Sequence, residues 1–121
     1  MEYWMVEGGI TMKMIIEIDD ESYLKSYLSI LSVGILECLE KNLISYDDAM
    51  SLLYFPGIID KFEKMFPKLG KAIHLGTELE DVADLIPEKL KESIEQIKKL
   101  NEESIYLTEN RKQHVFYKIC D

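Results

Sequence analysis

The chain reads as an α+β protein: a layer of several helices with a small antiparallel sheet formed by the N-terminal strand and a C-terminal hairpin. Three features carry that expectation. Met12, Met14, Ile16 and Ile18 alternate with Lys13, Glu17 and Asp19, the two-residue period of a half-buried strand. From Leu24 to Leu100 apolar residues instead recur at three- and four-residue steps, broken by caps, glycines and prolines. After Asn101 the chain turns β-branched and aromatic again. A single early strand would leave its backbone groups unpaired, so it is expected to join the C-terminal hairpin. The 121 residues are read as one domain, 1–121, with no repeat, linker or low-complexity tract.

Two readings of Met1 to Thr11 stand side by side. In codons, Glu7-Gly8-Gly9 can be written as a purine-rich run resembling a bacterial ribosome-binding site, with Met12 and Met14 a short distance on. The first eleven residues are then a leader outside the fold. In the other reading Glu2 to Val6 and Ile10 to Ile18 form a hairpin around Gly8-Gly9.

Asp19 or Asp20 can cap the first helix. Leu24, Tyr27, Leu28, Leu31, Ile35, Cys38 and Leu39 fall on one face, and Ile30, Val33 and Leu36 widen it. Charge is nearly absent between Lys25 and Glu37, which marks this helix as central. Gly34 costs about 1 kcal/mol of helix propensity against alanine, and close approach of a neighbouring element is the expected compensation. Asn42 is the expected stop. Ser45 and Asp48 stand in S-x-x-D spacing and start a helix carrying Ala49, Met50, Leu52 and Leu53, which ends before Pro56. A short helix from Gly57 to Phe66 turns Ile58, Ile59, Phe62 and Phe66 inward. Pro67 opens the next turn, and Gly76 ends it in a left-handed cap.

Thr77 and Glu80 form the clearest capping box in the sequence. The helix they start buries Leu79, Val82, Ala83 and Ile86, with Glu80, Asp81 and Asp84 opposite. Pro87 suits the first position of a long final helix. Its stripe is Leu90, Ile94, Ile97 and Leu100, and Glu95 pairs with Lys99 on the wet side. Ser104 to Thr108 and His114 to Ile119 are the two hairpin strands, with Glu109 to Lys112 as the turn.

A formal net charge of -9 and a pI near 4.7 disfavour phosphate backbones and anionic lipid, so nucleic acid and membrane surfaces are not expected as partners. Plain solubility or a basic protein partner fits that charge. The longest apolar stretch, Tyr27 to Leu39, contains Glu37 and is too short to cross a bilayer. Cys38 and Cys120 lack the spacing of a redox or zinc pair and suit a reducing compartment. The N-terminus is acidic and has no cleavage signal. A cytoplasmic protein is expected.

Lys71 to Pro87 concentrates the candidate chemistry. His74, Glu78 and Asp81 could converge on a metal if one helix ran through all three. The corner expected at Gly76-Thr77 separates them, and a zinc site wants three or four ligands, with the second histidine, His114, far along the chain. A histidine in the last turn of a helix is favourable against the helix dipole. No metal and no cofactor are therefore expected, with His74, Glu78 and Asp81 as the alternative set. Glu78, Glu80, Asp81 and Asp84 form an acidic group partly explained by the dipole, and paired carboxylates do acid–base work only where one is desolvated. No nucleophile elbow or glycine-rich phosphate loop occurs, so no catalytic residue is assigned. Lys61, Lys64, Lys68 and Lys71 make the one basic cluster, interrupted in register by Pro67. It is either a solvated helix face or the contact that meets the acidic group of another copy in a homo-oligomer. Tyr3, Trp4, Tyr106, Phe116 and Tyr117 gather on the expected sheet, where they cover the helical layer or form a partner surface.

Ile73 to Val82 (IHLGTELEDV), followed by Leu85 to Leu90 (LIPEKL), resembles an uncharacterised family of small bacterial proteins, a domain of unknown function from Bacillus-like bacteria. Leu31 to Glu37 (LSVGILE) and Leu43 to Ala49 (LISYDDA) are similar to it too. The resemblance covers the chain from Met12 to about the end of the long helix. It implies a bacterial cytoplasmic protein and no activity or catalytic residue.

The expected function is thus a non-enzymatic protein-binding module, in concrete form an immunity-type inhibitor of a basic toxin, with Glu78, Glu80, Asp81 and Asp84 as the contact. The alternatives are a small metal- or ligand-dependent enzyme centred on His74 and its neighbouring carboxylates, and a homo-oligomeric structural protein.

Overall fold

The computed structural model describes residues 4–6, 10–54, 57, 59–107 and 112–120. The elements are β1 (Trp4–Val6), β2 (Ile10–Ile18), α1 (Glu21–Glu40), α2 (Tyr46–Leu52), α3 (Ile59–Met65), α4 (Pro67–Thr77), α5 (Leu79–Leu85), a 3₁₀ turn (Pro87–Lys89), α6 (Leu90–Glu103) and β3 (Val115–Cys120). The fold is α+β. Two compact units are distinguished: Met1–Leu24 with Leu107–Asp121, and Lys25–Tyr106.

In the first unit β2 lies between β1 and β3, with both neighbours antiparallel. β1 runs along the first residues of β2, from Trp4 opposite Met12 to Val6 opposite Ile10. That pairing follows the hairpin reading, whose Gly8-Gly9 turn lies outside the described residues. β3 runs along the rest, from Lys13 opposite Cys120 to Ile18 opposite Val115. Successive side chains alternate in direction, so Met14, Ile16 and Ile18 share a face with Ile119, Tyr117 and Val115. Of the two candidate caps, Asp20 starts α1 by accepting from the Tyr23 amide at 3.0 Å. Asp19 instead meets His114, whose Nδ1 lies 2.7 Å from its carboxylate, while the Tyr23 ring packs at 4.4 Å from the imidazole.

The expected first strand of the C-terminal hairpin is corrected. Ser104 closes α6, residues 105–107 carry no strand, and Thr108 lies outside the described residues. The Ser26 hydroxyl takes both backbone groups of Tyr106, accepting from its amide at 2.8 Å and donating to its carbonyl at 2.9 Å. Groups held that way cannot join a ladder.

In the second unit α4 packs chiefly against α3 and α6. It turns Leu69, Gly70, Ala72, Ile73 and Gly76 into the core. Phe62 and Phe66 pack beside one another, and Ile94 and Ile97 come from α6. Thus α4, rather than α1, is the central helix. α1 is rotated from its expected seat: its buried residues are Ser26, Ser29, Ser32, Ile35, Leu36 and Leu39, while Ile30 and Leu31 are exposed. The serines are tolerated inside because each hydroxyl has a hydrogen-bond partner. Nothing lies within 4 Å of where a Gly34 Cβ would sit, so the expected close neighbour is absent among the described residues.

α1 ends as expected at Asn42, which among the described residues is the non-glycine residue with positive φ, 57°. Its amide donates to the Leu39 carbonyl and that of Leu43 to the Cys38 carbonyl, the two bonds of a Schellman cap. Ser45 and Asp48 form a complete reciprocal capping box on α2. Pro67 is the first residue of α4, while Pro87 opens the short 3₁₀ turn that leads into α6.

Candidate functional site

Gly76 is where the structure departs furthest from expectation, and that departure shapes the site. The residue is not a left-handed cap. It lies inside α4, and a Cβ there would meet the Tyr54 ring at 2.8 Å. Glycine is needed for close approach, and the helix continues to Thr77. Thr77 forms no capping box, because its hydroxyl donates to the His74 carbonyl at 2.6 Å. Glu78, in helical conformation, is the hinge residue between α4 and α5 and gives no side-chain cap.

Helix continuity brings His74 and Glu78 together, with His74 Nε2 3.0 Å from a Glu78 carboxylate oxygen. On the other side of the ring, Nδ1 stands 3.9 Å from Glu63 of α3. Gly70 makes that approach possible, since a Cβ at Gly70 would strike the Glu63 backbone at 2.6 Å. Glu63, Pro67, Lys71, His74, Leu75 and Glu78 line an open groove of about 510 Å³. Among the described residues no three His, Cys, Asp or Glu side chains gather into a metal site, so Asp81 does not join His74 and Glu78.

The remaining acids belong to α5. Leu79 is buried and sets which face turns inward. At 100° per residue, Glu80, Asp84, Asp81 and Leu85 follow one another around the outward side. Val82 and Ala83 are half-buried, and Ile86, expected inside, is 44% exposed. Ile86 lies just past the end of α5 with non-helical backbone (φ -140°, ψ 63°), so it leaves the inner face that Leu79 marks. Glu80 and Asp84 lie near Tyr46 at the start of α2. Burial first, then the charges of Asp84 and Glu80, push the Tyr46 phenol above its ordinary range. Among the described residues no Lys, Arg or His nitrogen lies within 4.0 Å of Glu80, Asp81, Asp84 or Asp47. The acidic set therefore divides: Glu78 serves the His74 groove, and the other three form an outward acidic face.

The basic cluster divides as well. Lys61 and Lys64 lie on α3 and Lys68 and Lys71 on α4, with extended Phe66 between the helices. Lys68 is held by Glu103 at 2.9 Å.

Residues 19–119 match the family described as protein of unknown function (DUF3969). The chain belongs to the DUF3969 family. The match begins at residue 19, later than the Met12 start of the resemblance read from the sequence, and runs beyond α6 through most of β3, further than that resemblance reached. No curated protein and no solved structure matches the chain.

The DUF3969 chain also holds a polar centre that the sequence reading missed. Tyr54 and Ser32 are fully buried, with their hydroxyls 2.6 Å apart. The Tyr54 hydroxyl donates to the Ser32 carbonyl at 3.2 Å, and Asn101 Nδ2 donates to Ser32 Oγ at 2.7 Å. One consistent wiring runs from the Asn101 amide through the Ser32 hydroxyl to the Tyr54 hydroxyl and the Ser32 carbonyl. Burial pushes the Tyr54 phenol far up, so it stays neutral. The network ties α1, the segment after α2, and α6 to one another. Its sequence signal is Ser26, Ser29 and Ser32 at three-residue spacing in an otherwise apolar helix. Beside it, Lys98 of α6 is 12% exposed and reaches Glu37 at 2.6 Å and also Glu40, both on α1. Among the described residues no helix is long and apolar enough to cross a membrane.

Proposed function

We propose that this chain is a non-enzymatic protein-binding module of the bacterial cytoplasm, in concrete form an immunity-type inhibitor that masks the basic surface of a toxin or nuclease. The observation that carries this reading is the outward face of α5, where Glu80, Asp81 and Asp84 stand together without a cation within 4.0 Å among the described residues. On a chain of net charge -9 such a face draws a basic protein in by long-range attraction and sets its orientation. Steering of this kind raises association rates and weakens with salt. The test is the triple change E80K/D81K/D84K with a co-purifying basic partner. Association should slow by about tenfold or more at low salt, with dissociation changed less. Unchanged association would remove α5 as the contact.

A second reading, a small ligand-dependent enzyme, is favoured by one observation: the His74 imidazole stands between Glu78 and Glu63 in an open groove. An imidazole beside a carboxylate can act as a general base. If so, His74→Ala abolishes turnover of whatever substrate a metabolite screen turns up while leaving protein binding intact; turnover that survives the change ends this reading.

A further inference from the structure

The end of α5 puts large apolar side chains where the fold does not use them. Leu85 is 80% exposed and Ile86 44%. They are neighbours in sequence, at a helix end that could as well have been polar, since neither fills the core. Leu85 follows Asp81 by one helical turn and lies next to Asp84, so the apolar tip continues directly from the acidic face. Tyr46 of α2 is half-buried and feels the charges of Asp84 and Glu80. Two exposed aliphatic residues beside a row of acids have the make-up of an interface anchor and its polar rim.

We propose that this surface is a docking site for a basic amphipathic helix of a partner protein, with Leu85 and Ile86 as the apolar anchor and Glu80, Asp81 and Asp84 receiving arginines on the flanks of that helix. The proposal rests on the protein-binding reading above and names the class of partner and the residues that hold it. Charge complementarity selects the occupant. A partner carrying acids would leave like charges opposed, whereas guanidinium groups match carboxylates in a two-pronged geometry. A second copy is a poorer occupant. Its basic residues are divided between α3 and α4, and Lys68 already holds Glu103. Leu85 and Ile86 then add what charge alone does not give, a contact that excludes water at its centre.

The probe is a synthetic amphipathic helix with leucine on one face and arginine on its flanks, titrated into the full chain and followed by fluorescence anisotropy. One control helix has serine in place of leucine, and another has glutamate in place of arginine. The variant L85S/I86S alters exposed positions, and far-UV circular dichroism checks that it keeps its fold. Binding of the leucine–arginine helix is expected, with a loss of about tenfold or more both for L85S/I86S and for the serine helix, and no binding of the glutamate helix. Equal binding of the leucine and serine helices, with L85S/I86S matching the unaltered chain, would overturn the anchor and leave the acidic contact standing. Failure of every helix to bind at low salt would remove the acidic contact too. A dimer in sedimentation that both L85S/I86S and K61E/K64E abolish would assign the face to a second copy and overturn the proposal.

Discussion

Gly76→Ala, measured with and without the Tyr54 ring, separates close approach from a left-handed cap, because only a close-approach penalty depends on that ring. Inside a helix, glycine to alanine ordinarily stabilises by about 1 kcal/mol. At Gly76 the new Cβ would stand 2.8 Å from Cδ1 of Tyr54 and 2.9 Å from Cγ and Cε1. Carbon atoms pack at about 3.5–4.0 Å, so the ring would have to retreat by roughly 0.6–1.2 Å. Tyr54 is not free to do so, because its hydroxyl is bonded to Ser32 Oγ at 2.6 Å and to the Ser32 carbonyl at 3.2 Å. Overpacking costs about 1–3 kcal/mol, and each weakened buried hydrogen bond about 1 kcal/mol more. Set against the propensity gain, the net is a destabilisation of about 1–4 kcal/mol. Urea unfolding followed by circular dichroism measures it, and the melting temperature should fall by about 3–6 °C for each kcal/mol. Gly34→Ala is the internal control: with nothing within 4 Å, it should stabilise by about 0.5–1 kcal/mol. In a Tyr54→Leu background the Gly76→Ala penalty should shrink, giving a measurable coupling between the two sites. A Gly76→Ala protein at least as stable as the parent would refute the close-approach explanation.

Tyr54→Phe leaves the ring in place but strips the hydroxyl from the buried network, and should cost about 1–3 kcal/mol in the same unfolding assay; a neutral result would mean that the Ser32 groups find other partners. Lys98→Met removes the cation shared by Glu37 and Glu40. Hydrogen bonding and then the charge of Lys98 hold the Glu37 carboxyl below its ordinary value of 4.5, so the stability this adds is present above that value and lost as pH falls through the lowered one. The matching contribution of Lys98, whose ammonium is held above 10.5, is complete below that value and fades only in stronger alkali. Lys98→Met should therefore lower stability near neutral pH and flatten its decline below pH 4.5; an acid limb identical to the parent's would show that the clasp contributes nothing.

Local signals were legible where the chain alone satisfies them. The Ser45–Asp48 box, the Asn42 stop, the Asp20 cap and Pro67 at a helix start each depend on backbone groups within a few residues, and all four formed. Period-two alternation likewise revealed β2. The failures share the opposite property. Thr77-x-x-Glu80 has the spacing of a cap, but helical continuity through Gly76 took the Thr77 hydroxyl for the His74 carbonyl. Gly34 and Gly76 look alike in sequence, yet one faces open space and the other a buried ring. Ile105 to Leu107 has strand composition, but Ser26, far away in sequence, holds the Tyr106 backbone.

The acidic group was legible as composition and not as a site. Four carboxylates within seven residues are visible in any reading; that Glu78 meets His74 while Glu80, Asp81 and Asp84 face outward depends on the helix running on through Gly76 and on the burial of Leu79. By itself the sequence determined the α+β class, the order of the helices, the acidic charge and the family, because each follows from composition, near-neighbour periodicity or a run of matching residues. Only the tertiary structure decided which face of α1 is buried, which glycine is crowded, and which apolar residues are left in water at the end of α5. Those outcomes depend on pairs of groups distant along the chain, and no local pattern records which of them will meet.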